Sequence, residues 1–392
     1  MSPTAVTPRH REPGVVDALA LAVRYADEIV VGTTRDTHRA VADRAFGLAN
    51  RGTHQAARVQ AVHDGVAAAV YGSLGLALRS VASGLGTVGA TGVGPRLNDS
   101  SSGRAVHSAV NGLFGDRLRD EHPHLALSMS VRMDGDVVPV TSEELARAFP
   151  RAGERVVVFL HGLGEHEGHW NLQRYRLDGT YGTRLEAAAG WTPVYLRANT
   201  GLPVAENAVA LTSLLQSLVD GWPVDVGRLA LVGHSMGGLI IRAACALASE
   251  DEASWTERVS DVVTLGTPHL GADLALGVHH GSRMLALAPE VAAFGRFLDH
   301  RSPGIRDLER GLPEVPPLPH VRYRLVSAAL GSERSPLGRL LGDLFVRRGS
   351  ATATRRALRL FPEADLLHVP NADHFSLLNH PDVSRAMERW LA

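Results

Sequence analysis

Residues 228–250 demand a strand, a sharp turn and a helix in immediate succession. Arg228-Leu229-Ala230-Leu231-Val232 is a short apolar run of the kind that forms a buried strand. It leads directly into Gly233-His234-Ser235-Met236-Gly237-Gly238, and a helical stretch from Leu239 to Ala248 follows. No spacer remains for a loop, so the chain must reverse at Ser235 itself. A serine on such a turn has a strained backbone and needs small residues two positions to either side, which Gly233 and Gly237 supply. The following helix points its unpaired N–H groups back at the serine. With 40 glycines in 392 residues, the pentapeptide alone is a weak signal, and the strand and helix around it carry the reading.

The same alternation continues on both sides. Expected strands cover Leu125 to Arg132 and Asp136 to Val140, joined as a hairpin at Met133-Asp134-Gly135. Further strands are expected at 156–160, 192–197, 259–265, 320–326 and 365–369. A Thr141…Glu144 capping signal opens a short helix to Phe149, and Thr183 to Ala189 is a helix closed by Gly190. Val204 to Val219 is amphipathic, with Leu211, Leu214, Leu215 and Leu218 on one face. A last helix spans about Asp382 to Trp390. Strands alternating with crossover helices imply an α/β fold with a mostly parallel, doubly wound sheet, whose chemistry collects at the carboxyl ends of the strands.

Residues 1–121 read differently, as a helical N-terminal extension to a main domain at 122–392. Helices are expected from Val15 to about Val31, Asp36 to Leu48, His54 to Val81 and Arg104 to Leu118, with the glycine-rich Gly84 to Gly94 as a flexible break or a tight small-residue packing site. This region packs on the main domain or serves oligomerisation, lipid contact or partner binding; oligomeric state is left open. The net charge of -1 gives no electrostatic reason to expect nucleic acid. Arginine supplies every one of the 40 basic residues, which excludes Schiff-base and P-loop lysine chemistry. The lone Cys245 falls in an apolar helical stretch and reads as a buried structural thiol. The N-terminus has no signal-peptide core, and no stretch reads as a clear transmembrane helix. The expectation is a cytoplasmic protein, with peripheral membrane contact as the alternative.

Acyl transfer needs oxyanion donors, a base and an acid to orient the base. The backbone N–H of Met236 follows the serine. A second donor is expected from the loop after strand 156–160, His161-Gly162-Leu163-Gly164, where Gly162 permits close approach and Leu163 donates. His374, in the loop just beyond strand 365–369, is the candidate base; His368 lies within that strand and His380 at a helix start. The acid should fall between serine and histidine in the chain. Asp343 is favoured, with Asp273 and Asp307 as fallbacks; Asp365 and Asp373 lack the reach. His161, His166 and His169 cluster with Glu165 and Glu167, but without H-E-x-x-H spacing, so the loop is read as shaping a pocket. No metal and no cofactor is expected.

Over residues 122–392 these motifs resemble the α/β-hydrolase superfamily on its lipase and esterase side. The resemblance rests on Val158-Phe159-Leu160-His161-Gly162, on Gly233 to Gly238, and on Leu265-Gly266-Thr267-Pro268-His269-Leu270-Gly271. The last is similar to the T-P-H-x-G segment of lipases and of lipase-like enzymes that deacylate lipid anchors. Gly342-Asp343 resembles the acid-bearing segment, although Arg347-Arg348 departs from the usual companions. The resemblance implies a helical cap insertion at about 272–318 over the nucleophile. It also implies a serine hydrolase acting on carboxylic esters, of lipids or other apolar acyl groups. Thioesterase, amidase and acyltransferase chemistry use the same groups. A non-catalytic binding or scaffold protein on a hydrolase fold is the alternative of another class.

Overall fold

The computed structural model describes residues 13–392 except 26, 28–30, 33, 36, 37, 40, 41, 44, 45, 47–54, 251–253, 273–301, 330–345, 356 and 357. By its internal contacts the chain forms two units that part between Asp99 and Ser100.

The smaller unit is a helical hairpin. Helix α1 (Val15–Tyr25) packs against helix α2 (Gln55–Ala90). Their near ends are joined by backbone bonds from Val15 to the Pro95 carbonyl and from Leu97 to the Pro13 carbonyl, each 2.9 Å. Small residues let the helices approach, because a side chain at Gly89 would overlap the carboxylate of the buried Asp17. Of the two readings of Gly84–Gly94 this is the packing site and not the break: the helix is continuous to Ala90. Glycine lowers helix propensity by about 1 kcal/mol each, and packing against α1 overrides that.

The larger unit holds an eight-stranded sheet in the order β2-β1-β4-β3-β5-β6-β7-β10. Its strands are β1 (Ser130–Met133), β2 (Asp136–Val138), β3 (Arg155–Leu160), β4 (Thr192–Arg197), β5 (Arg228–His234), β6 (Val259–Leu265), β7 (Arg322–Ala329) and β10 (Asp365–Pro370). β4, β3, β5, β6, β7 and β10 run parallel, and the β1–β2 hairpin is antiparallel. A two-stranded ribbon, β8 (Thr354–Arg355) and β9 (Leu358–Arg359), stands apart and has no sequence signal of its own. The hairpin turns at Asp134 and Gly135, both with positive φ (52° and 98°), as an Asp-Gly pair favours.

The helices of this unit are α3 (Ser101–Glu121), α4 (Ser142–Ala148), α5 (Tyr181–Ala189), α6 (Val204–Gly221), α7 (Met236–Glu250), α8 (Ser254–Glu257), α9 (Pro303–Arg310), α10 (Arg348–Ala351) and α11 (Pro381–Trp390). Alternation along β3 divides the core between the two faces of the sheet. Val156, Val158 and Leu160 join Leu211, Leu215 and Leu239 from α6 and α7. Val157 and Phe159 join Leu185 of α5 and Val383 and Met387 of α11. Each fully buried aliphatic side chain contributes about 1.5–3 kcal/mol. At the amino ends of the strands, buried Asp261 collects Arg228 (3.2 Å), Arg322 (3.1 Å) and Arg324 (3.4 Å).

Two further expectations change. Helix α3 belongs to the larger unit, so the contact boundary lies after Asp99 rather than at residue 121. It also explains why the first strand starts at Ser130 rather than Leu125. The Asn111 side chain accepts from the Leu127 amide (2.8 Å) and donates to the Leu125 carbonyl (3.0 Å), which His107 also engages (2.9 Å). The backbone there is already paired. Of the expected cap insertion, residues 273–301 lie outside the described residues. Of that insertion α9 is described, opened by the Ser302 side chain and Pro303.

Candidate active site

The register of the sheet brings four strand ends into one row. Leu160 pairs with Leu196 and with Gly233, and His234 pairs with Leu265. Ser235 is the first residue past β5. It has φ 51°, in the left-handed region, and is 6% exposed. A β-carbon there is strained, and the surroundings hold it. The Ser235 amide donates to the Leu265 carbonyl (2.8 Å), and its own carbonyl accepts from the Thr267 hydroxyl (2.9 Å) and the Gly238 amide (3.1 Å). The glycines around it are required by contact. A Cβ on Gly233 would lie 2.6 Å from Gly238 Cα, and one on Gly237 would lie 2.6 Å from the His161 carbonyl oxygen.

The loop after β3 reaches the serine directly. A Cβ on Gly162 would sit 2.9 Å from Ser235 Cβ and 2.8 Å from Glu165 Oε1. His161, fully buried, does not face the serine. Its Nδ1–H donates to the Gly162 carbonyl (2.9 Å) and its Nε2 accepts from the Ala198 amide (3.0 Å). That second bond requires an unprotonated nitrogen, and burial pushes the ring down to about 4. Leu163 follows Gly162 in this loop, and Met236 opens α7, whose first amides have no intrahelical acceptor.

His374 sits 4% exposed at the end of the β10 loop. A Cβ on Gly266 would lie 3.0 Å from both its Cε1 and Nδ1, so the imidazole packs over the Leu265–Gly266 peptide that also anchors Ser235. The loop is fixed from beyond. Asn379 accepts from the Tyr181 amide (2.9 Å) and donates to the Trp170 carbonyl (2.8 Å), and the Tyr181 hydroxyl donates to the Leu377 carbonyl (2.6 Å).

Glu165 and His234 join these pieces, and neither was singled out from sequence for that task. The Glu165 carboxylate, 4% exposed, accepts from the Gly162 amide (2.9 Å) and from His234 Nδ1 (2.9 Å). His234 Nε2 reaches the His374 carbonyl (3.3 Å). Burial opposes ionisation of Glu165, but the His234 ring and the Gly162 amide outweigh it and hold the carboxyl at about 2. The Gly162 loop, the Ser235 turn and the His374 loop are thus tied through one buried carboxylate. With its partners 69 positions apart in the chain, such a pair has no local sequence signature.

The rest of the histidine-rich loop is structural. His166 Nδ1 caps the short turn 167–171 by accepting from the Gly168 amide (3.1 Å), and burial lowers its ring to about 3. Glu167 forms a bidentate pair with buried Arg197 (Nε–Oε2 2.6 Å). Among the described residues no cluster of three or more His, Cys, Asp or Glu is arranged to hold a metal. In the T-P-H segment, buried His269 donates from Nε2 to Thr264 (3.1 Å) and accepts at Nδ1 from Arg242 (3.2 Å). Arg242 also donates to the Leu312 (3.1 Å) and Val315 (2.6 Å) carbonyls, and burial lowers it to about 10. Burial raises the Cys245 thiol to about 12.

The triad acid is not brought into view. Asp343 and its fallback Asp273 lie outside the described residues. Asp307 accepts from the Val204 amide (2.9 Å), capping α6, and Asp373 accepts from the Ser376 amide (2.8 Å). Asp365 starts β10 and pairs with Arg324 (3.0 Å). His368 bonds Ser327 (3.0 Å) on the strand, and His380 caps α11. A cavity of about 530 Å³ beside Arg132, Phe149, Glu167 and Tyr195 does not include Ser235 or His374 in its lining.

A parallel sheet carrying a strained serine at the end of its central strand defines an α/β hydrolase. Residues 157–386, more than half of the chain, match the alpha/beta hydrolase family, and the chain belongs to it. The structure is similar to the mature lipase BlEst2 of Bacillus licheniformis, at 21% identity over 61% of this chain and 92% of that one, TM-score 0.43. It is similar to RedJ, a thioesterase from the prodiginine pathway of Streptomyces coelicolor, at 20% identity over 62% of this chain and 86% of that one, TM-score 0.38. It is also similar to the carboxylesterase CesB of Bacillus subtilis, at 15% identity over 61% and 84%, TM-score 0.37. A search of curated protein sequences found no match.

Proposed function

We propose that the chain is a serine hydrolase that cleaves carboxylic esters of lipids or other apolar acyl groups through an acyl-enzyme on Ser235. The observation that carries this reading is the strained Ser235, with the Gly162 loop against one side and His374 packed over the peptide that anchors it. His374 takes the Ser235 hydroxyl proton as the oxygen attacks the ester carbonyl. The Leu163 and Met236 amides receive the negative charge that develops on the carbonyl oxygen. As the intermediate collapses, the C–O bond to the alcohol breaks and His374 returns the proton to the leaving alcohol. Water, deprotonated by His374, then releases the acid and restores Ser235. Asp343 orients the imidazole in this scheme; its assignment rests on the resemblance of Gly342-Asp343 to the acid-bearing segment.

Thioesters, amides and acyl transfer call on the same groups, and an ester preference rests on the lipase-like segments alone. The test is labelling of wild type and Ser235→Ala with a fluorophosphonate probe, followed by an ester series of rising acyl length. Labelling of wild type that is lost in Ser235→Ala supports the assignment. An unlabelled wild type leaves a binding or scaffold protein on a hydrolase fold as the reading, and labelling that survives in the variant refutes the site.

A further inference from the structure

Helix α2 presents an apolar surface that its own unit leaves open. The stretch Val59–Ala90 is long and apolar enough to cross a membrane by length and composition, and only 11% of its most apolar window is buried. Its covered side is narrow, with Tyr71, Gly75, Leu78, Ala82 and Gly89 recurring at helical spacing and Gly75 and Gly89 packed against Asp27 and Asp17. On the open side Val59, Val62, Val66, Val70, Val81 and Val88 are 48–68% exposed. At 100° per residue they fall on one broad arc. Two exposed hydroxyls beside this arc are satisfied within the helix. Ser73 donates to the Val70 carbonyl (3.0 Å) and Thr87 to the Ser83 carbonyl (3.0 Å). Bonds of this kind let a helix carry serine and threonine into an apolar solvent.

We propose that this arc lies in the plane of a phospholipid bilayer, embedded in one leaflet. Charge placement selects that occupant and orientation. Between Asp64 and Arg96 the only charged residue is Arg79, which pairs with Asp27 (2.7 Å) on the flank away from the valines. A second copy of the chain would be expected to meet a narrower apolar seam edged by charged residues, and here the edges are Gly, Ala and Ser. Arg79 also splits the uncharged sequence into runs of 14 (65–78) and 16 (80–95) residues. Each falls short of the roughly 20 residues a spanning helix needs, whereas an in-plane helix keeps Arg79 and α1 on the aqueous side. Toward the amino end of the helix, Arg35, His38, Arg39, His63, Asp64 and Tyr71 line a cavity of about 270 Å³, with Asp64 beside His63 (3.1 Å). Arginine, histidine and tyrosine together are the groups that settle at headgroup depth. The proposal is independent of the hydrolase reading and would tether the enzyme to a lipid surface.

The test is flotation of the full chain with vesicles of three parts phosphatidylcholine to one part phosphatidylglycerol. Wild type is expected to float. The triple variant Val62→Glu/Val66→Glu/Val70→Glu should lose at least about tenfold in partitioning with its circular dichroism unchanged, because each substitution places a carboxylate on the buried arc. Val209→Glu, at an exposed valine of α6, should float like wild type. Single tryptophans at Val62, Val70, Val81 and Val88 should be quenched alike by brominated lipid. The proposal is overturned if wild type stays in the dense fraction or if the triple variant floats equally well. A wild-type oligomer that the triple variant converts to monomer without lipid would assign the face to a second copy instead. Quenching graded along the helix would overturn the in-plane orientation.

Discussion

Replacing Glu165 by glutamine tests whether one buried carboxylate joins the donor loop to the serine turn. The side chain is 4% exposed, and its carboxyl is held at about 2, below the ordinary glutamate value of 4.5. A difference of about 2.5 units corresponds to about 3 kcal/mol favouring the ionised, folded form. The folded value is depressed, so this contribution is fully present above about 4.5 and is lost as pH falls through 2. Glutamine keeps an acceptor for the Gly162 amide but turns a neutral group toward His234. At pH 7 the variant should therefore be about 3 kcal/mol less stable than wild type. The deficit should shrink steadily below pH 4.5. Urea unfolding at pH 7, 5, 4 and 3 measures it, with fluorophosphonate labelling rate as a separate readout, because slackening the Gly162 loop should slow acylation as well. A deficit below about 1 kcal/mol at pH 7, or one that does not change with pH, would refute the idea that the charge on Glu165 holds the loop.

Gly162→Ala would place a methyl 2.9 Å from Ser235 Cβ, and steady-state kinetics should show a roughly 100-fold fall in kcat/KM together with a loss of about 1–3 kcal/mol on thermal unfolding. Asp343→Asn should lower kcat about 10³–10⁴-fold while Asp307→Asn stays within about tenfold, since Asp307 is occupied with the Val204 amide; equal effects in esterase assays would reassign the acid. Burial holds His161 at about 4, so the unfolded chain takes its proton first as pH falls. That stability is complete above about 6.5 and is lost between 6.5 and 4, and His161→Gln should flatten the melting temperature profile across this window.

Much of the sheet was legible because its strands are short apolar runs bounded by turn residues, and the limits at 192–197 and 259–265 match those observed. The places of Ser235 on a strand-to-helix turn and of Gly162 and His374 in strand-end loops were legible because such turns and loops are local features. What was not legible depended on distant partners. Residues 125–127 have strand composition, yet their backbone is claimed by Asn111, far back in a helix. Helix α3 read as part of an extension, because nothing in its sequence announces that Gly115 accepts from Asn199 (3.1 Å) in the loop after β4. The run through Gly84 and Gly86 left a break and a packing site both open, because propensity is local and the packing of α1 is not. The Glu165–His234 link needed the folded sheet to bring its two residues together.

Asp261 and its three arginines have a counterpart across the whole chain, whose basic residues are all guanidinium groups. In proteins built on lysine, ion pairs begin to dissolve near pH 10.4, as the ammonium loses its proton. Here the exposed and half-buried pairs keep their charge beyond that point, because an arginine in water does not deprotonate until above about 12. Among the described arginines, an interior one is lowered into the alkaline range. Arg242, lowered to about 10, holds His269 and the carbonyls of Leu312 and Val315 against the serine-bearing helix. Strong base should therefore loosen the segment leading out of the cap insertion before it dissolves the sheet.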